Sequence, residues 1–381
     1  MDEAHVLLLA TLDTKAEEAE FLSRQLSGHG VASRTIDLSL GANGAVLGGS
    51  EKLKAMEAAA ARALEAVTEA LDRDARVVLG LGGGTGGEVA LRAMRALPVT
   101  FPKVLVTTLP FDPRVAVSDS SVILVPTLVD ICGLNATLRE VLENTAALTA
   151  GLCSSRREAG SGVASPSIGI TALGATETAV TSLVSALAKR GQESTVFHSN
   201  GYGGAALARF AERGALRAMV DLTPHELTRI HVAGSHVTMP NRFSAGAALP
   251  RIVLPGGLNF IGLGEESLLP ERYLDRPHYA HSSFFTHVKL LKEEMLVVAE
   301  ALVDSLNATT GPAALIVPMG GFSHQDRAGG LIEDPALRQV FLDRAVESLR
   351  RDIVLTVLDA HISAPEATQA IIDTLDDLAP R

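Results

Sequence analysis

Short apolar runs alternate along this chain with longer stretches in which apolar residues recur every three or four positions. "HVLLLATL" (5–12) reads as a buried strand, "KAEEAEFLSRQLSGHG" (15–30) as an amphipathic helix closed by glycine, and "VASRTIDL" (31–38) as the next strand. "RVVLGLG", "KVLVTTL" and "VILVP" supply further strands, and the alternation predicts α/β units built on parallel sheets. Between Ser154 and Pro166 the chain turns small, polar and aperiodic. This predicts a linker at 154–166 between an N-terminal α/β nucleotide-binding-like domain, 1–153, and a C-terminal α/β domain, 167–381. The fold expected is α/β, two tandem Rossmann-like doubly wound domains with mainly parallel sheets and an interdomain cleft.

The second half restarts in the manner of the first. Residues 5–37 lie over residues 166–198 without a gap, strand on strand and helix on helix, with Gly30 over Gly191 and Leu26 over Leu187. Identities are few, and any two βαβ units share this pattern, so a duplication and a coincidence of architecture both account for it. In either case ligands are expected beyond the carboxyl ends of the strands.

Composition narrows the classes of function. At 381 residues and 47% hydrophobic content the chain can fill two cores. No apolar run reaches the ~20 residues of a membrane span, and "MDEAHVLLLATLDTK" lacks the basic start of a signal peptide, so a cytoplasmic protein without membrane contact is expected. Cys132 and Cys153 are the only cysteines and form no zinc spacing. A net charge of −11, no tryptophan and 4% aromatics argue against nucleic acid as a partner.

Four strand-end turns carry candidate chemistry. In "TLDTKAEE" (11–18), Asp13 or Thr14 can cap a helix, but Lys15 opposes the helix dipole and asks for an anionic partner. In "VVLGLGGGTGGEVALRAM" (77–94) the glycines give only a weak dinucleotide signature and no P-loop lysine. Bare amides from Gly82 to Gly86 with the Thr85 hydroxyl nevertheless make an anion site at a helix start; close strand–helix packing is the alternative. In "VTTLPFDPR" (106–114), Thr107 and Thr108 can donate to phosphate, and Asp112 either forms a turn with its proline or holds hydrated magnesium. "VFHSNGYGGAALARF" (196–210) places His198 at a strand end, and nine of the 11 histidines follow the linker.

"LLLATLDTKAEEAEFL", "GLGGGTGGEVALRAMRALPVTFPKVLVTT", "VDICGLN", "SIGITALGATETAVT", "VFHSNGYGGAALARF", "VDLTPHEL" and "RYLDRPHYAH" resemble, in this order, the family typified by the ATP-binding N-terminal domain of the tomato mosaic virus replication inhibitor. The resemblance runs over essentially the whole chain. It implies two Rossmann-like subdomains, a homodimer, and an ATP site with magnesium. Carried onto this sequence, the nucleotide residues are Thr11, Asp13, Thr14, Lys15 and Gly82, Gly83, Gly84, Thr85 and Gly86, with Asp13 reaching magnesium through water. The chain departs from the family after "VTT", where "LPFDPRVAVSDSS" replaces a turn of small residues, and in "HISA", which keeps His361 but loses two polar partners.

Two functions follow from these residues. One is an ATP-binding protein of cytoplasmic metabolism with a small anionic substrate in the interdomain cleft. The other is an ATP-independent hydrolase or lyase acting on a small carboxylate or carbonyl compound. The catalytic candidates are His198, Asp221, Glu226, Arg242, Arg276 and His281, with His198, Glu226, Arg276 and His281 expected to converge. In "DLTPHEL" Asp221 or Thr223 can also simply cap a helix that begins at Pro224. No GxSxG or HExxH motif names a reaction.

Overall fold

The computed structural model describes residues 5–41, 47–71, 75–110, 117, 120–155, 165–234, 239 and 241–378. Two compact units, Met1–Ser161 and Gly162–Arg381, divide the chain. Asp112 and most of the segment read as a linker, 156–164, lie outside the described residues.

In the first unit, strands β1 (His5–Ala10), β2 (Ala32–Asp37), β3 (Ala75–Leu81), β4 (Lys103–Thr107) and β5 (Val122–Pro126) form one sheet in the order β2-β1-β3-β4-β5. Every pairing is parallel. Successive residues of β1 point to opposite faces, which is why the strand is apolar throughout. Val6, Leu8 and Ala10 pack with helices α1 (Leu12–Gly28) and α4 (Ala136–Ser154). Leu7 and Leu9 pack with α2 (Gly49–Leu71) and α3 (Gly84–Arg95) on the other side. The chain leaves β1 for β2 and returns to β3 on β1's other flank, so β1 and β3 frame the crevice where a doubly wound sheet takes its ligand.

The second unit repeats this plan. Strands β6 (Ser167–Ala172), β7 (Ser194–His198), β8 (Leu216–Asp221), β9 (Arg251–Val253), β13 (Ala313–Pro318) and β14 (Val354–Leu358) form a parallel sheet ordered β14-β13-β9-β8-β6-β7. Helices α5 (Glu177–Lys189) and α9 (Pro365–Leu378) cover one face. Helices α7 (Lys292–Asn307) and α8 (Pro335–Ser348) bury the opposite side of the core, and α6 (Tyr202–Glu212) follows β7. The overlay of the two halves holds at the end of the first helix of each. Gly30 and Gly191 take the left-handed conformation, with φ of +74° and +68°. The Val31 and Gln192 amides donate back to the Leu26 and Leu187 carbonyls, each at 3.0 Å.

One element has no counterpart in the first unit. Strands β10 (Phe260–Leu263), β11 (His278–Ser282) and β12 (Phe285–Lys289) make an antiparallel sheet in the order β10-β12-β11. Among the described residues no helix is long and apolar enough to cross a membrane.

Candidate functional site

The crevice of the first unit gathers much of what the sequence singled out. Thr11, Asp13, Thr14, Lys15, Gly83, Gly84, Thr85 and Gly86 line a depression of about 300 Å³ together with Leu40 and Lys52. Lys15 departs from helical angles, with φ −132° and ψ 23°, at a kink in the first turn of α1. Among the described residues Asp13 is the single carboxylate in this lining, which also holds two lysines. A polyanion with one magnesium ion held through phosphate oxygens and water suits that donor set. Lys52, Gly84 and Thr85 also line an adjoining groove of about 740 Å³ with Met56 and Leu91.

Three members of the proposed set stand elsewhere. The Gly82 amide is spent on the Val106 carbonyl at 3.0 Å, and a Cβ on Gly82 would stand 2.6 Å from the Gly87 nitrogen. Gly82 is therefore glycine because strand and helix touch there. Thr107 is buried and its hydroxyl accepts from the Leu109 amide at 3.3 Å. Thr108 lines a different surface hollow, with residues 126–130. Among the described glycines of this loop none has a positive φ, so close approach, not backbone strain, explains them.

In the second unit the turns after β6, β7 and β8 open onto a cavity of about 650 Å³ whose further wall is the antiparallel sheet. His198, Glu226 and His281 line it together with His287 of the same histidine-rich segment, and sequence reasoning missed its other ionisable residues, His225 and Arg229. Four rings stand against one another along that wall. His225 lies 4.6 Å from Phe260, Phe260 stacks on His287 at 4.0 Å, and His287 stacks on His281 at 4.6 Å.

Beneath the cavity is a closed ionic network. Arg242, fully buried, donates to both Asp221 oxygens at 2.8 Å and to Glu226 Oε2 at 3.2 Å. Thr171 adds a hydrogen bond to Asp221 at 2.7 Å. Burial alone would push the Asp221 carboxyl up, but the Arg242 guanidinium and these hydrogen bonds outweigh it and hold Asp221 below its usual range. Glu226 goes the other way. Burial, only partly offset by Arg242 and reinforced by the Asp221 charge, raises it above an ordinary carboxyl. Its Oε1 is buried without a partner and abuts Gly204 in the first turn of α6.

Burial disfavours the charged form of the His198, His225 and His287 imidazoles. Burial pushes His225 down to about 4 and His287 down to about 3. His225 Nδ1 faces the Gly257 carbonyl at 2.7 Å, and a carbonyl only accepts, so Nδ1 carries the hydrogen and Nε2 is left as an acceptor. Tyr279 pairs with His287 Nδ1 at 2.8 Å, and burial lifts the phenol to about 12.

Several sequence expectations need correction. Arg276 does not join the cavity, because both its terminal nitrogens are held by Glu294, at 2.7 and 2.9 Å, at the start of α7. Asp221 and Arg242 consume each other's charge, so neither is a free catalytic group. Asp221 caps no helix, and Thr223 pairs with Thr176 at 2.7 Å. His361 is bound within the fold, with Nε2 at 3.0 Å from the Ser323 carbonyl and Nδ1 accepting from the Ser363 amide. Among the described residues no group of three or more His, Cys, Asp or Glu side chains is arranged to hold a metal ion.

Comparison with known proteins assigns this arrangement to a family. Two models, described as the N-terminal and C-terminal domains of "Uncharacterised protein family (UPF0261)", match residues 4–158 and 165–379. The chain belongs to the UPF0261 family. A UPF0261 protein of Mesorhizobium japonicum is 30% identical to it, over 97% of this chain and 98% of the relative. A UPF0261 protein of Rhizobium meliloti is 31% identical, over 98% and 99%. The ToMV resistance protein Tm-1 of Solanum lycopersicum is 27% identical over 80% of this chain, which spans 42% of that protein. The UPF0261 C-terminal match contains the whole histidine-lined cavity, and the N-terminal match contains the lysine-lined depression.

Proposed function

We propose that this protein is an enzyme whose second unit moves a proton on a small anionic substrate, in the manner of a lyase or hydrolase acting on a carboxylate or carbonyl compound. The observation that carries this reading is Glu226, a fully buried carboxyl at a cavity with one oxygen unpartnered and a raised proton affinity. A carboxyl tuned toward neutrality can both give and take a proton at working pH. Arg242 and Asp221 position it, and the neutral imidazoles can orient substrate without adding charge. Incubation with panels of small 2-oxo and hydroxy acids in D₂O, followed by NMR, tests the assignment. Deuterium incorporation or conversion is expected with the native chain and at least about a hundredfold less with Glu226→Gln. A Glu226→Gln variant as active as the native chain would end the proposal.

A second reading concerns the first unit, where Lys15, Lys52 and bare amides surround one depression. It is the binding of a nucleotide, ATP with magnesium, as the family resemblance implies. Ligand at ~100 times its dissociation constant would stabilise the fold by about 2.7 kcal/mol, a clear melting shift. Lys15→Ala should reduce that shift and leave the unliganded melt unchanged. Absence of any shift with ATP, ADP or AMP at millimolar concentration counts against this site. The same reading makes the protein a cytoplasmic homodimer, which sedimentation of the purified chain would check.

A further inference from the structure

Arg229 opens a five-residue π-turn, Arg229–Ala233, a distortion that recurs where a helix re-aims a functional side chain. It is half-buried, and one terminal nitrogen donates to the Gly262 carbonyl at 2.6 Å. Arg242, Arg276 and Arg338 all have carboxylate partners, whereas Arg229 has none among the described residues. The following residues, 230–250, contain no Asp or Glu. Among the described residues Arg229 is also the only lysine or arginine of the cavity lining. A guanidinium partly withdrawn from water without a carboxylate partner is costly, and a ligand anion would offset that cost.

His225 approaches the same place. Its Nε2 lies 3.3 Å from where a Cβ on Gly262 would stand, and with Nδ1 committed to the Gly257 carbonyl this nitrogen can only accept. A cationic donor and an obligate acceptor thus meet at one residue, Gly262, on the wall of the cavity. A small ligand that pairs with both carries its anion and its donor close together. We infer that the cavity holds a 2-hydroxycarboxylate, its carboxylate taken by Arg229 and its hydroxyl donating to His225 Nε2. This rests on the reading of the cavity as the substrate site. A phosphate dianion would find a single cation here. A 2-amino acid would bring an ammonium beside Arg229, with Glu226 biased toward its neutral form.

Titration of the full chain with two matched series tests the assignment: glycolate, lactate and glycerate against acetate and propionate, with glycine and alanine as the amino counterparts. The hydroxy acids should bind about tenfold more tightly than the acids lacking the hydroxyl, the scale of one hydrogen bond to a neutral acceptor. Arg229→Gln should weaken both series. Gly262→Ala, whose methyl would stand against Nε2, should erase the preference, read as the ratio of hydroxy acid to plain acid affinity so that any common change in carboxylate binding cancels; it replaces His225 variants, which risk the fold. Equal binding of the two acid series, or equal binding of the amino acids, overturns the 2-hydroxy assignment while the anion site stands. A preference that survives Gly262→Ala overturns the role of His225. No binding by any of these acids removes the anion site and the inference together.

Discussion

Arg242 is enclosed completely, and its charge is balanced by Asp221 and Glu226. Arg242→Leu would leave two buried carboxyls without their hydrogen-bonded guanidinium, at a cost of about 3–5 kcal/mol, measurable as a lowered urea midpoint. The sequence brought Asp221, Glu226 and Arg242 forward as chemistry, and they do lie together. That Asp221 and Arg242 neutralise each other follows from the turn that carries Arg242 back over β8, which no spacing reveals. His225 and Arg229 flank Glu226 in "HELTR", a stretch that reads as the start of a capped helix. The signal available was the charge count: an arginine followed by a long run without acids. The histidines predict a pH dependence. His225 and His287 sit at about 4 and about 3 in the fold against an ordinary 6.5. Unfolded chain takes up protons below 6.5 that the folded chain refuses, so this contribution is complete above 6.5 and is lost as pH falls toward 4. The loss is up to about 1.4 kcal/mol per pH unit for each histidine. Urea melts at pH 7 and pH 5 should show it, and His287→Phe should show less of it.

At the scale of elements, two glycines of one loop separate packing from binding. A Cβ on Gly82 would meet the Gly87 nitrogen at 2.6 Å, whereas one on Gly84 meets only Pro110, at 3.4 Å. Gly82→Ala should therefore destabilise the first unit by about 1–3 kcal/mol. Gly84→Val should leave the melt nearly unchanged and abolish the shift with Mg-ATP, because its side chain projects from the lining of the depression. Thermal melts of the two variants, with and without nucleotide, check both outcomes. The α/β units were legible because β1, β3, β6 and β8 are apolar on both faces and their helices carry a regular stripe. The antiparallel sheet was not. "HYAHS" is polar and mostly exposed as β11, and β10, at the other edge of the sheet, is only four residues long. Six lining residues of the cavity, Gly262, Leu263, His281, Ser282, Phe285 and His287, come from that sheet, which is why the histidine cluster was visible as composition and not as a wall.

For the whole molecule, the similar plan of the two sheets means that the same crevice position is lined by two different sets of groups, lysines and bare amides in one unit, imidazoles and a buried carboxyl in the other. Hydrogen exchange should separate them. Mg-ATP is expected to slow exchange in residues 11–15 and 83–86, and glycolate in residues 198–201 and 225–229, each set lying within one unit. Protection in the opposite unit would reverse the assignment of ligands. The cavity of the second unit also divides its labour by element. The Arg242 network belongs to the parallel sheet and the turns after it, while Ser282 and Phe285 of the facing hairpin are exposed and bear none of the buried charge. Mutational drift in that hairpin can therefore be tolerated by the fold. A lineage could change the compound it accepts by altering Ser282 or Phe285 while inheriting the proton-handling machinery intact, and a laboratory selection for new substrates would find its accessible variation in those same few positions.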